Sequence, residues 1–313
     1  LGTDPLALAS VTIYLPTRRA ARTFAEVFAR VLGGAALLPE FKALGDVDED
    51  DFLFDTDAEA LDFAAAIAPV RRQLLLATLI KRWDETRRQA NLGFAQAIAL
   101  AQSLAALMDE LETQNADTTH FLDLVPKALA EHWAEVLAFL ELLRTQWPAL
   151  LMAEGTINPA ARRNIALQAL AKRLADHPPQ GMVIAAGSTG SIPATGELLG
   201  VIARLPKGMV VLPGLDRELD ADSWNDLDPG HPQYGMKQLL ERIAVKREDV
   251  RDWSDAEPLH ARELLLRETL RPAPTTDAWR ALAESGSEKI AEGLKGLSLI
   301  DAALHAPNAV NQQ

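Results

Sequence analysis

Met182-Val183-Ile184-Ala185-Ala186-Gly187-Ser188-Thr189-Gly190-Ser191, then Pro193 to Arg204, then Gly208-Met209-Val210-Val211-Leu212, is the stretch that decides the fold. Its first and last runs are uncharged and apolar without alternation, which suits strands covered on both faces. The segment between them opens on Pro193 at the first helical position and has the length of a short helix. Strand, helix and strand joined by such short links predict a parallel βαβ unit with a right-handed crossover.

The N-terminal block repeats this pattern. Val11 to Leu15 reads as another buried strand, Pro16 stops it, and Thr17 is placed to cap the next helix. That helix carries Ala21, Phe24, Ala25, Phe28 and Val31 at helical spacing and meets Gly33-Gly34. A further extended segment runs from Ala36 to Leu44. Residues 69 to 175 read instead as four amphipathic helices. Their apolar stripes are Val70, Leu74, Leu75, Leu79, Ile80 and Trp83, then Phe94, Ile98, Ala101, Leu104, Ala105, Met108 and Leu111. The third carries Leu129, Trp133, Val136, Leu137, Leu140 and Leu143 and ends near Trp147-Pro148. The fourth opens at Asn158-Pro159 and carries Ile165, Ala166, Leu170 and Leu174. The expected architecture is α/β: a parallel sheet from 1–68 and 176–300, interrupted by an all-helical insertion at 69–175. Leu297 to Ile300 and residues 301–313 read as the start of a following segment.

At 313 residues, 48% hydrophobic and 24% charged, the chain has length for roughly two domains. No apolar run approaches the ~20 residues that span a bilayer, so no membrane association is expected. Zero cysteines exclude disulfides, thiolate zinc, a cysteine-held cluster and a Cys nucleophile within these residues, and fit a cytoplasmic setting. The chain opens at Leu1 without Met, which reads as a processed or trimmed product. A formal charge of −13, from 44 acidic and 31 basic residues, is the wrong sign for a free-standing nucleic-acid binder. Any contact with nucleic acid is expected through a local basic strip or a basic partner.

Two segments could carry chemistry. The turn Gly187-Ser188-Thr189-Gly190-Ser191 lies between a strand and a helix, where backbone amides can cradle an anion. The Gly-Lys that a P-loop requires occurs nowhere in the chain. A tight structural turn is the competing use. The second segment, Pro16-Thr17-Arg18-Arg19-Ala20-Ala21-Arg22, puts a hydroxyl and three guanidinium groups at the carboxyl end of a strand, the edge where open α/β sheets bind ligands. Arg suits bidentate phosphate contacts; surface salt bridges are the alternative. Elsewhere, Asp46 to Asp62 reads as a solvated acidic loop, with Phe52 and Phe54 packing inward. Arg71-Arg72, Lys81-Arg82, Arg87-Arg88 and Arg162-Arg163 read as solvated helix faces. Asp216, Glu218, Asp220 and Asp222 could collect a divalent cation, with a solvated loop the favoured use, and the six histidines show no metal-binding spacing.

Four segments, in order, carry a resemblance: VTIYLPTRRAAR (11–22), LLPEFKALGDVDEDDF (37–52), APVRRQLLLATLI (68–80) and VIAAGSTGSIPATGELLGVIARLPKGMVVLPGLD (183–216). Together they resemble the AddB family, the helicase-like and nuclease subunits of AddAB double-strand-break repair complexes, in its alphaproteobacterial form. The resemblance implies a RecA-like (P-loop NTPase-type, superfamily 1 helicase-like) sheet with a helical subdomain. It implies an AddA-type motor and nuclease subunit, which binds ATP and magnesium, as partner. Single-stranded or duplex-end DNA is the implied ligand. The family's iron–sulfur cluster belongs to a nuclease domain whose cysteines are absent from these residues, so no cofactor is expected here. Thr17, Arg18 and Arg19 match the placement of superfamily 1 residues that touch single-strand backbone, with Arg22 one turn further. Ile184-Ala185-Ala186-Gly187 stands where an active relative ends its strand on Asp-Glu, and neither Ala nor Gly can hold magnesium. The resemblance therefore implies a catalytically inactive scaffold for DNA and for the motor subunit. A soluble α/β enzyme binding a phosphorylated small molecule at Gly187–Ser191, or a pure interaction module, is the other reading.

Overall fold

The computed structural model describes residues 7–33, 37–44, 64–88, 91–117, 130–253, 260–285 and 287–295. The acidic segment Asp46 to Asp62, with Phe52 and Phe54, and the run Leu297 to Ile300 lie outside the described residues. The chain divides into two compact units, residues 1–214 with 238–246, and residues 215–237 with 247–313.

The first unit is built on four short parallel strands, β1 (Thr12–Leu15), β2 (Glu40–Ala43), β5 (Val183–Ala186) and β6 (Gly208–Val211), in the order β2-β1-β5-β6. Thr12 lies opposite Glu40 on one side and Val183 on the other, and Val183 lies opposite Gly208. Val11, Ile13 and Leu15 are buried against Ala20, Ala21 and Phe28 of helix α1 (Arg18–Val31), and against Phe41 and Ile184 of the neighbouring strands. Phe28 meets Phe41 edge-on, with ring centroids 5.5 Å apart, a favoured aromatic geometry.

α1 does not use the whole stripe its periodicity suggests. Phe24 is 43% and Val31 78% exposed. The residues nearest the sheet are the small Ala20 and Ala21, which let the helix approach closely while Phe28 reaches Phe41.

Between β2 and β5 the chain forms α2 (Pro69–Trp83), α3 (Phe94–Thr113), α4 (Ala130–Glu154) and α5 (Pro159–Asp176). Their shared core holds Leu76, Ala77, Leu79, Ile80, Ala97, Ala101, Leu104, Leu143, Trp147 and Leu151. The inner face of α2 keeps Leu79 and Ile80 of the expected stripe, with Leu75 packed against that core, but leaves out Val70 and Leu74, 68% and 39% exposed, and takes in Arg72, 5% exposed. The Arg72 guanidinium donates to Asp109 Oδ2 at 2.8 Å and to the Ala105 carbonyl, so a charged side chain occupies the buried position at i, with Leu76, Leu79 and Ile80 following at i+4, i+7 and i+8. Arg72 is thus no solvated residue. Arg71, beside it, grips Glu154 with two hydrogen bonds.

α4 runs through Pro148 rather than ending there. Proline costs the helix one hydrogen bond and some strain, but Leu143, Trp147 and Leu151, at four-residue spacing across it, are all buried. This continuity makes Val136–Glu154 long and apolar enough by length and composition to cross a membrane, correcting the expectation that no stretch approaches that size. Leu143, Trp147 and Leu151 of this stretch belong to the helical core. At the foot of the helices, two-residue strands β3 (Ala65–Ala66) and β4 (Thr156–Ile157) pair in parallel, and Ile67 N–H donates to Ile157 O at 2.9 Å. This clamp ties the entry of the helical segment to its third connection.

α6 (Pro193–Arg204) joins β5 to β6, and residues 238–243 of α8 (Tyr234–Ile243) pack against it. A Cβ at Gly200 would come within 2.9 Å of Ile243, and one at Gly196 would collide with the Arg242 guanidinium. Two small residues at i and i+4 therefore seat the second helix.

The second unit contains α7 (Ala221–Asn225), α9 (His260–Thr269), α10 (Ala278–Ser285) and α11 (Ser287–Leu294). Two arginines of α9 and its end fasten the 216–223 segment. Arg267 binds Asp216 and Glu218, each at 2.9 Å, and Arg271 binds Glu268 and Asp220, each at 2.6 Å.

Candidate nucleic-acid interface

β1 hands the chain to α1 and then to β2 on one side, whereas β5 hands it to α6 and β6 on the other. Connections leaving neighbouring strands in opposite directions create a switch point, the crevice where open α/β sheets bind ligands. With right-handed crossovers, α1 and α6 take opposite faces of the sheet. The switch point falls between β1 and β5, so the Pro16–Arg22 segment and the Gly187–Ser191 turn stand side by side. A Cβ added at Gly187 would lie 3.5 Å from Pro16 Cγ.

Thr17 is the N-cap of α1. Its hydroxyl accepts from Ala20 N–H at 3.1 Å, and its backbone is extended (φ −139°), as capping residues require. The hydroxyl therefore has a structural task. Arg18, Arg19 and Arg22 are exposed, and Arg19 and Arg22 form no ion pair among the described residues. No acidic residue occupies the first turn of α1. Positive charge at a helix N-terminus opposes the macrodipole by about 0.3–1 kcal/mol per charge in the first turn. Arg19 and Arg22 are thus electrostatically uncompensated among the described residues, and an anion is what would compensate them.

The Gly187–Ser191 turn is partly committed to the fold. Gly187 (φ +78°) donates its amide to Val211 O at 3.0 Å, and the Gly190 amide reaches Ser188 Oγ at 3.3 Å. Gly190 (φ +63°) is buried, and a Cβ there would come within 2.9 Å of Leu239. Both glycines hold left-handed backbone that other residues adopt at a cost. The amides of Ser188, Thr189 and Ser191 donate to nothing among the described residues and precede the N-terminus of α6. Arg242, an exposed residue of α8, donates to Pro193 O at 3.3 Å and so adds a cation beside this turn. Nothing in the sequence signalled it, because it reaches the turn from fifty residues downstream.

The acidic run 216–222 is exposed at Glu218, Asp220 and Asp222, and three of its carboxylates are tied to arginines. Asp216 caps its own turn through the Glu218 and Leu219 amides and binds Arg267. Asp220 caps α7 through the Ser223 amide and binds Arg271. Burial pushes the Asp220 carboxyl upward, but the Ser223 amide, Arg271 and the Ser223 hydroxyl outweigh it and bring it down to about 2. Among the described residues no three His, Asp or Glu side chains converge as a metal site needs.

No family model matches the chain, and no curated protein matches it.

Proposed function

We propose that this chain is a DNA-contacting scaffold: the catalytically inactive, RecA-like part of an AddB-type subunit, acting in the cytoplasm in double-strand-break repair with an AddA-type motor. The reading rests on one observation above the others. The sheet order brings an exposed arginine strip (Arg18, Arg19, Arg22) and an amide-rich turn (Gly187 to Ser191) to one crevice at the carboxyl edge. Arg242 adds positive charge beside the turn. The end of β5, Ala185-Ala186-Gly187, offers no carboxylate to anchor magnesium, and the chain holds no Gly-Lys to grip a triphosphate. The chemistry of the crevice is therefore phosphate holding without phosphoryl transfer. Two to four cations give weak, salt-sensitive binding, consistent with a net charge of −13 and a partner that shares the task.

The test is amide hydrogen exchange of the chain with and without a 20-nucleotide single strand at about 50 mM salt. Protection at 17–22 and 187–191 supports the reading; binding that protects neither segment overturns it, as does DNA-stimulated ATP hydrolysis by the purified chain. A phosphorylated small molecule in the same turn is the second reading, favoured by the amides of Ser188, Thr189 and Ser191. It requires that a nucleotide or sugar phosphate at 100 times Kd raise stability by roughly 2.7 kcal/mol while single-stranded DNA has no effect.

A further inference from the structure

The four-stranded sheet ends in two edges of different character, β2 on one side and β6 on the other. An edge strand offers a row of unpaired backbone groups, and proteins guard such rows with charge or cover. β2 is guarded: Glu40 and Lys42 stand on one face of it and pair at 3.1 Å, and Glu40 also accepts from the Thr12 hydroxyl. β6 is not. Gly208-Met209-Val210-Val211-Leu212 holds no charge, and Pro213 closes the run. Both edge strands are four residues long, so length does not set them apart.

The hydrogen bonds of β5 show which groups of β6 stay open. Val183 N–H donates to Lys207 O, and Gly187 N–H to Val211 O, each at 3.0 Å. β5 therefore engages Lys207, Met209 and Val211, and the alternate residues turn their backbone groups the other way. The N–H and carbonyl of Val210, the Gly208 carbonyl and the Leu212 N–H thus point off the sheet, and none has a partner among the described residues. Burial agrees with this. Val183 and Ala185 of β5 are buried, whereas every residue of β6 is half-buried, although the two strands are equally free of charge.

We propose that the free edge of β6 is a docking site for one strand of a partner polypeptide, an extended run of β-branched residues flanked by lysine or arginine. In strand addition the backbone hydrogen bonds give affinity, and the open groups of Gly208, Val210 and Leu212 are the ones such a strand needs. Charge decides between occupants. The chain carries −13, so a second copy would bring like charge to the edge, while basic flanks are drawn to it. β5 separates β6 from β1 and its arginines, so this docking neither uses nor blocks the Arg18–Arg22 strip.

The probe is the peptide Lys-Thr-Val-Ile-Val-Thr-Lys, capped at both ends, fluorescein-labelled and N-methylated on both valines, so that one edge stays open and the peptide cannot stack on itself. Its anisotropy is followed as the full chain is titrated in. Saturable binding at one site per chain is expected, with the Val210 and Leu212 amides protected in hydrogen exchange. Methylating the isoleucine nitrogen as well closes both edges and should weaken binding about tenfold, the worth of one hydrogen bond at the upper end of its range. Val210→Pro removes an N–H that pairs with nothing among the described residues, and edge strands tolerate proline there. It should weaken the probe to the same degree with an unchanged thermal melt. Replacing both lysines of the probe by glutamate should weaken it at low salt. The assignment is overturned by no saturable binding, by equal binding of the closed peptide or the glutamate-flanked one, or by equal binding to the Val210→Pro chain. A chain that sediments as a dimer and returns to monomer on Val210→Pro would overturn it in favour of a second copy. Should Val210→Pro melt early, the open and closed peptides decide alone.

Discussion

Removing Arg19 and Arg22 together separates a DNA contact from a structural role. Both side chains are exposed and form no ion pair among the described residues, so the double alanine variant breaks no charge pair there. Arg19 stands in the first turn of α1, where a positive charge is unfavourable by about 0.3–1 kcal/mol. Its loss should leave the melt unchanged or raise it by about 1–3 °C, at roughly 2–4 °C per kcal/mol for a domain of this size. Binding should move the other way. Each phosphate neutralised on a single strand contributes about −0.7 to the slope of log K against log salt. Two lost contacts therefore remove about 1.4 from that slope. Over a fourfold rise in salt, from about 50 to 200 mM, the wild-type chain should lose about sevenfold more affinity than the variant. Fluorescence anisotropy of a labelled 20-nucleotide strand across a salt series measures this directly, with a thermal melt as control. An unchanged slope refutes the reasoning outright. A depressed melting temperature would refute it too, because the arginines would then be holding the fold.

Other substitutions probe the framework. Gly190→Ala places a methyl group on a φ of +63° and within 2.9 Å of Leu239, so a loss of about 1–3 kcal/mol is expected in chemical denaturation, together with any anion binding at the turn. Asn158→Ala leaves Trp147 Nε1 and one Glu112 oxygen without their partner; a cost of about 2 kcal/mol is expected, read as a fall in melting temperature with a change in tryptophan emission. Burial raises the Glu112 carboxyl against the pull of Asn158, Arg72 and the Ala161 amide. A carboxyl raised on folding makes its ionised form costly, so stability should rise as pH falls through the folded-state value toward the ordinary carboxylate range. Glu112→Gln should flatten that part of a pH–melt profile. Asp220 has the opposite sign: its carboxyl is lowered from 3.8 to about 2, so its contribution is full above pH 3.8 and lost as pH falls toward 2. Asp220→Asn should remove that acid-side dependence.

How much of this was legible in the residues depends on what each element needs from its surroundings. β5, α6 and β6 were readable almost to the residue, because uncharged runs and a helix opening on proline are local signals. The first turns of α2 were not, because Arg72 reads as a solvent residue until Asp109 and Ala105 on another helix are known to receive it. The passage of α4 through Pro148 follows from Leu143, Trp147 and Leu151 being buried on both sides of it, a tertiary gain that local propensity does not contain. The two-residue clamp of β3 and β4 has no sequence signature at all, since Ala65-Ala66 and Thr156-Ile157 form strands only by meeting.

The candidate site shows the same division. Thr17 as a cap and Gly187 as a turn are local properties, and both are met in the structure. That the two segments share one crevice depends on sheet order, which a single chain of letters does not state. Sheet order also changes their weight. Arginines on an isolated helix start would ordinarily be a small electrostatic cost with no return. At a switch point they stand where open α/β sheets take ligands, beside three amides that have no acceptor among the described residues. A fold that retains positive charge at the positive end of α1, with no carboxylate in its first turn to soften it, is arranged for an anion that arrives from outside. On the proposed reading, the chain's surplus of carboxylates elsewhere limits how strongly that anion is held, and a more basic partner supplies the remaining affinity.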